Sequence, residues 1–132
     1  MARILVAEDD NAVRELVRRI IASRGHEVIA VVDGAYALEA VGSSQFDLLV
    51  TDIVMPRLDG IALALALAKS HPELPILMMT GYAMERQRAH DLEMLVHRVL
   101  SKPFTVDQFL VALGEMLEGK TAAPESRAVS WN

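Results

Sequence analysis

Four apolar runs along the chain each end in polar chemistry. Ile4-Leu5-Val6-Ala7 runs into Glu8 and Asp9, Leu48-Leu49-Val50-Thr51 into Asp52, Ile76-Leu77-Met78-Met79 into Thr80, and Val99-Leu100-Ser101 into Lys102-Pro103. Apolar runs without alternation belong to strands buried on both faces, as in a parallel sheet covered by helices. Strands are therefore expected over 3–7, 26–33, 46–51, 76–80 and 98–101. Between them the apolar period becomes helical. Val13, Leu16, Val17, Ile20 and Ile21 share one face of a first helix, with Asn11 as its expected N-cap and Gly25 as the residue that closes it. Shorter helices are expected over 34–42, anchored by Tyr36, Leu38 and Val41, and over 61–69. Pro56 and Gly60 set the turn before the latter. A polar, Arg-rich helix over 83–92 follows the fourth strand. The last helix opens on Thr105-x-x-Gln108, a capping box in which each side chain satisfies an amide near the other, and its stripe is Val106, Phe109, Leu110, Leu113 and Leu117.

Strand and helix alternating five times predict an α/β domain with right-handed crossovers and helices on both faces of one parallel sheet. In such a sheet the carboxyl edge binds ligands. Glu8, Asp9, Asp52, Thr80 and Lys102 all fall on that edge, and acids, a hydroxyl and a lysine together fit magnesium-assisted phosphoryl transfer with an aspartate as acceptor. Each residue alone has an ordinary explanation. Acids at strand ends commonly cap helices, Asp commonly begins turns, and an isolated Lys-Pro carries no information. Convergence on one sheet edge is what turns them into a site. Asp10 reads as a surface residue.

Composition narrows the class further. A chain of 132 residues, 52% apolar and 23% charged, suffices for one domain with a core of its own and is not disordered. No apolar run approaches membrane-spanning length. There is no cysteine, hence no disulfide or thiol chemistry, and Met1-Ala2-Arg3 leads into the first strand without a signal-peptide pattern, so a cytoplasmic location is expected. A net charge of −5 with thirteen scattered Lys and Arg residues disfavours direct nucleic-acid binding. Beyond Gly119 the mixed small and polar residues read as a mobile tail.

The chain resembles the receiver domain of two-component response regulators, in particular the chemotaxis-regulator-like single-domain members found in bacteria. Four motifs carry the resemblance: Leu5-Val6-Ala7-Glu8-Asp9; Thr51-Asp52-Ile53-Val54-Met55-Pro56 with Asp59-Gly60; Met79-Thr80-Gly81; and Lys102-Pro103-Phe104. They extend over residues 3–118. The resemblance implies a flavodoxin-like receiver fold with strand order 2-1-3-4-5, a receiver domain over 1–118 and a flexible tail over 119–132. It also implies that Asp52 is the phosphoacceptor, becoming 4-aspartylphosphate at the expense of a phosphohistidine on a sensor histidine kinase or histidine phosphotransfer protein. Asp9, Asp52 and the backbone carbonyl of Val54 would hold one Mg2+, with Glu8 acting through water. Lys102 and Thr80 would contact the phosphoryl group, and the Lys102–Pro103 peptide would be cis. Beyond assisting its own phosphorylation and dephosphorylation, such a chain is not an enzyme.

The sequence departs from the family pattern at the switch. Where members often carry Tyr or Phe, three positions before the lysine, this chain has Val99, which has few rotamers and no hydroxyl. Signalling through Thr80 would then rely on the loop 81–84 or the helix after it. Val54 and Tyr82 flank the expected path of hydrolytic water and neither is a base, which predicts a long-lived phosphoryl group. Output is expected through protein contacts on the face formed by the helix over 83–92, the strand over 98–101 and the last helix, as a monomer or a phosphorylation-dependent dimer. The motifs at 1–5 and 99–104 also resemble small cell-cycle regulators that deliver substrates to a Clp protease. Other readings are a receiver-like scaffold acting unphosphorylated and an aspartyl-phosphate hydrolase, which would need an acid where Val54 stands. Leu63 and Leu67 are candidates for an exposed contact surface on an otherwise apolar helix, although burial of both is the simpler reading.

Overall fold

The computed structural model describes residues 1–81 and 98–119. The expected helix over 83–92, Tyr82 and the tail after Gly119 lie outside the described residues. Five parallel strands form a single sheet: β1 (Arg3–Ala7), β2 (Glu27–Val31), β3 (Leu48–Asp52), β4 (Ile76–Thr80) and β5 (Arg98–Ser101), in the order β2-β1-β3-β4-β5. The expected order is the observed one. Register places Ala7 opposite Thr51, Asp52 opposite Met79 and Thr80 opposite Ser101, so the strands end together.

Alternate strand residues feed two separate cores. Leu5, Leu49, Ile76 and Met78 face α2 (Gly34–Ser43) and α3 (Gly60–Ser70), whereas Ile4, Val6, Val50, Leu77 and Met79 face α1 (Asn11–Ser23) and α4 (Val106–Gly119). Both faces being covered explains why the strand sequences show no alternation. None of the described helices is long and apolar enough to cross a membrane.

Aspartates begin three of these helices. Asp33 caps α2 and Asp59 caps α3, each accepting from an amide in the first turn, at 3.0 and 2.8 Å. For α1 the cap is Asp10 rather than the expected Asn11: its Oδ1 accepts from the amides of Ala12 and Val13 at 2.9 and 3.1 Å. Asp10 has the extended backbone that a cap requires, while Asn11 is already helical. Asp10 is exposed, as expected, but it has this structural task. Gly25 adopts φ +85° after α1, a conformation glycine reaches without a Cβ penalty. The capping box of α4 forms as read, with Thr105 N donating to Gln108 Oε1 at 2.9 Å and Gln108 N to Thr105 Oγ1 at 3.0 Å.

Several expected anchors face outward. Tyr36 and Leu38 on α2 and Val106 on α4 are exposed, and Ala37, Ala112 and Met116 are buried in their stead. Leu63 and Leu67 are both buried, so the contact surface considered for them does not exist; Leu65 is the exposed leucine of α3. In a helix of alternating Ala and Leu the pattern has no polar face to mark which leucines point out, and only docking on the sheet decides it.

Candidate functional site

At the carboxyl edge of the sheet the ends of β1, β3, β4 and β5 surround a cavity of about 600 Å³. Its lining includes Glu8, Asp9, Asp52, Val54, Thr80 and Lys102, the acids, hydroxyl and lysine that the sequence placed there; Tyr82, expected beside them, lies outside the described residues. Parallel register does this, since it makes the strands end side by side. Val13 and Leu16 of α1 and Pro103 and Phe104 after β5 supply an apolar rim.

Lys102 is the centre of the arrangement. Its Nζ donates to Glu8 Oε1 at 2.9 Å and to Asp52 Oδ2 at 3.1 Å, joining residues from three strand ends. Its backbone N donates to the carbonyl of Thr80 at 2.7 Å, which fixes the lysine to the end of β4. The Lys102–Pro103 peptide is cis, as expected. Asp52 is nearly buried, and its Oδ1 accepts from Ile53 N at 2.8 Å. Glu8 is fully buried, with its Oε2 accepting from Asp10 N at 3.1 Å. Thr80 is buried at the cavity wall.

Charge here is under strain. Burial pushes the Glu8 carboxyl above its ordinary value, with the Asp52 charge adding to the rise, and the hydrogen bonds from Lys102 and Asp10 only partly oppose it. For Lys102, burial acts to lower the pKa, but the bond to Glu8 and the charge of Asp52 outweigh it and the net shift is upward. One lysine thus answers two buried acids, while Asp9 stands exposed beside them. Carboxylate oxygens of Glu8, Asp9 and Asp52 lie within 4.8 Å of one another, close enough to share one cation. An all-oxygen, open, excess-acid set of this kind fits a hard divalent cation such as Mg2+.

Val99 is partly buried and packs against the core under α2 and α3, beside Met78 in the sheet. Val54 is half exposed at the cavity. Two interactions near the site were not anticipated. The Arg14 guanidinium donates to the backbone carbonyl of Glu8 at 2.9 Å, and Arg57, in the loop after Asp52, pairs with Asp33 at 2.8 Å. Neither has a sequence signal, because both join residues whose proximity depends on how turns close.

Comparison with known proteins agrees with this geometry. The family model described as response regulator receiver domain matches residues 4–114. "Response regulator MprA" of Mycobacterium bovis is 37% identical over 128 residues, which is 97% of this chain and 55% of that protein. The chain thus spans about half the length of the curated relatives it matches. Among solved structures, NtrX from Brucella abortus is 32% identical with a TM-score of 0.84, over 98% of this chain and 29% of that one. The response regulator TrrA from Thermotoga maritima, solved in complex with Mg2+ and BeF, is 27% identical with a TM-score of 0.81, over 89% of this chain and all of that one, 100%. A cavity built from these four strand ends, in a sheet of this order, together with a family match across nearly the whole described fold, makes the chain a member of the response regulator receiver domain family.

Proposed function

We propose that this chain is a phosphorylatable receiver of a bacterial two-component system, working in the cytoplasm and taking a phosphoryl group on Asp52 from a histidine kinase or histidine phosphotransfer protein. The observation that carries the reading is the single lysine held between Glu8 and Asp52 beside a third, exposed acid. Asp52 Oδ1 is engaged by the Ile53 amide, which orients the carboxylate. Oδ2, on the Lys102 side, is the oxygen that attacks phosphorus; the P–O bond forms as the P–N bond to the donor imidazole breaks. Lys102 then moves its charge from the free carboxylate to the phosphoryl oxygens, and Thr80 bonds one of those oxygens. Asp9, Asp52 and the Val54 carbonyl, with Glu8 acting through water, would hold Mg2+, which when bound supplies positive charge against the repulsion between the acids and the incoming phosphoryl group.

The chain assists only its own phosphorylation and dephosphorylation, and its output passes through protein contacts. The apolar rim of Val13, Leu16 and Phe104 surrounds the acceptor and suits a protein donor better than a free anion. Intact mass spectrometry after incubation with Mg2+ and acetyl phosphate tests the proposal, run in parallel on Asp52→Ala. One phosphoryl adduct that requires both Mg2+ and Asp52 is expected. Its absence in a folded, Mg2+-binding protein would overturn the phosphoacceptor reading in favour of a scaffold.

A further inference from the structure

The loop between Asp52 and α3 closes on itself and is tied to the corner after the edge strand β2 by a contact that the phosphoacceptor chemistry leaves unexplained. Within the loop, Gly60 N donates to Ile53 O at 2.8 Å and Leu58 N to Pro56 O at 2.8 Å. Gly60 sits so close that a Cβ there would lie 2.2 Å from the Asp52 carbonyl oxygen. The tie to the β2–α2 corner is made at two adjacent residues. Leu58 O accepts from Gly34 N at 3.1 Å, an approach that a Cβ on Gly34 would obstruct at 2.1 Å. Arg57 Nε donates to Asp33 Oδ2 at 2.8 Å, and its guanidinium lies 4.7 Å over the Tyr36 ring.

Three features separate this pair from an ordinary surface ion pair. Asp33 is 4% exposed, so its carboxylate depends on its partners. Its two oxygens are divided, Oδ1 capping α2 through Tyr36 N and Oδ2 holding Arg57. Arg57 has φ +67°, a left-handed conformation that non-glycine residues seldom adopt and that persists where surrounding contacts enforce it.

We infer that Asp33 and Arg57 are positioning residues for the phosphoryl-transfer site: by clamping the loop to the α2 corner they hold the Val54 carbonyl and Asp52 in the arrangement that receives the divalent cation. The inference rests on the phosphoacceptor reading above. Val54 lies only three residues before Arg57, in a loop whose neighbouring turns are already fixed by the Gly60 and Leu58 bonds, so release at Arg57 is transmitted along a short, stiff path to the metal end.

The test titrates the full chain with MgCl2, following amide NMR shifts, and measures acetyl phosphate labelling of Asp52 at several Mg2+ concentrations. Arg57→Gly keeps the left-handed backbone free of strain and removes the guanidinium. Asp33→Asn keeps an oxygen to cap α2 and removes the charge, while Arg57→Lys restores a cation. Both Arg57→Gly and Asp33→Asn are expected to weaken Mg2+ binding about tenfold, the lower end of what outer supports of a metal site contribute. Their labelling rate at saturating Mg2+ should return to that of the unaltered protein, and Arg57→Lys should recover part of the affinity. Unchanged Mg2+ affinity in the folded variants would reduce the pair to a stability contact and overturn the inference alone. Failure of the unaltered protein to bind Mg2+ or take phosphate at Asp52 would overturn the phosphoacceptor reading itself.

Discussion

Replacing Lys102 by Met isolates the electrostatics of the site, because Met keeps much of the apolar stem and removes only the charge. Two buried acids then lose the cation that bonds them at 2.9 and 3.1 Å. Breaking a buried pair by deleting one partner ordinarily costs about 3–5 kcal/mol. Here protonation sets a ceiling. A carboxyl of ordinary pKa 4.5 can take a proton at pH 7 for about 3.5 kcal/mol, at about 1.4 kcal/mol per pH unit, so the charge of an unpaired Glu8 costs no more than that. At pH 5 the same ceiling falls below about 1 kcal/mol. The direction follows from proton counting: the variant's Glu8 has the higher pKa and binds a proton that the paired Glu8 releases, so the variant loses stability relative to the parent as pH rises. Urea unfolding in EDTA at pH 5 and pH 7 measures both values. Lys102→Met is expected to lose about 2–3 kcal/mol at pH 7 and distinctly less at pH 5, where the Glu8 share has fallen below about 1 kcal/mol, and adding Glu8→Gln should recover much of the loss at pH 7. An equal loss at both pH values, or a further loss on adding Glu8→Gln, would refute the view that Lys102 compensates buried carboxylate charge.

Three other outcomes follow from packing and pairing. Gly60→Ala drives a Cβ toward the Asp52 carbonyl oxygen at 2.2 Å and is expected to cost about 2 kcal/mol or more by urea unfolding, with slower labelling of Asp52. On α3, Leu67→Ala should cost about 2–5 kcal/mol, whereas Leu65→Ala, at a site 47% exposed, should stay within about 0.5 kcal/mol; the reverse ranking in thermal melts would contradict the orientation of the helix. The hydrogen bond from Arg57, with smaller help from Tyr36 N, holds the Asp33 carboxyl below its ordinary value of 3.8. The pair therefore contributes stability above about pH 4 that is lost as pH falls through the lowered value, so Asp33→Asn should be less stable at pH 7 and approach the parent only as pH falls below the ordinary carboxylate range in acid titrations followed by circular dichroism.

Much of the site was legible because a parallel sheet converts one-dimensional order into geometry. Each apolar run marks a strand, and the residue that ends it must lie at the carboxyl edge, so Glu8, Asp52, Thr80 and Lys102 group together on strand order alone. The helices were harder to read in detail. Asp10 displaced Asn11 as the cap because the strand–helix turn ended one residue earlier than the apolar period indicated. Ala37 and Met116 took core positions that Tyr36 and Val106 were expected to fill, since helices this apolar do not reveal their rotation.

The sequence by itself determined the fold class, the strand order through resemblance, and which side chains share the sheet edge, because periodicity and strand ends are local properties of the chain. Only the tertiary structure decided that Lys102 bridges Glu8 and Asp52, that Glu8 is fully buried, and that Asp33 reaches across 24 residues to Arg57. Those depend on the closing of loops and the docking of helices, where the energy of a contact is set by partners far away in the chain.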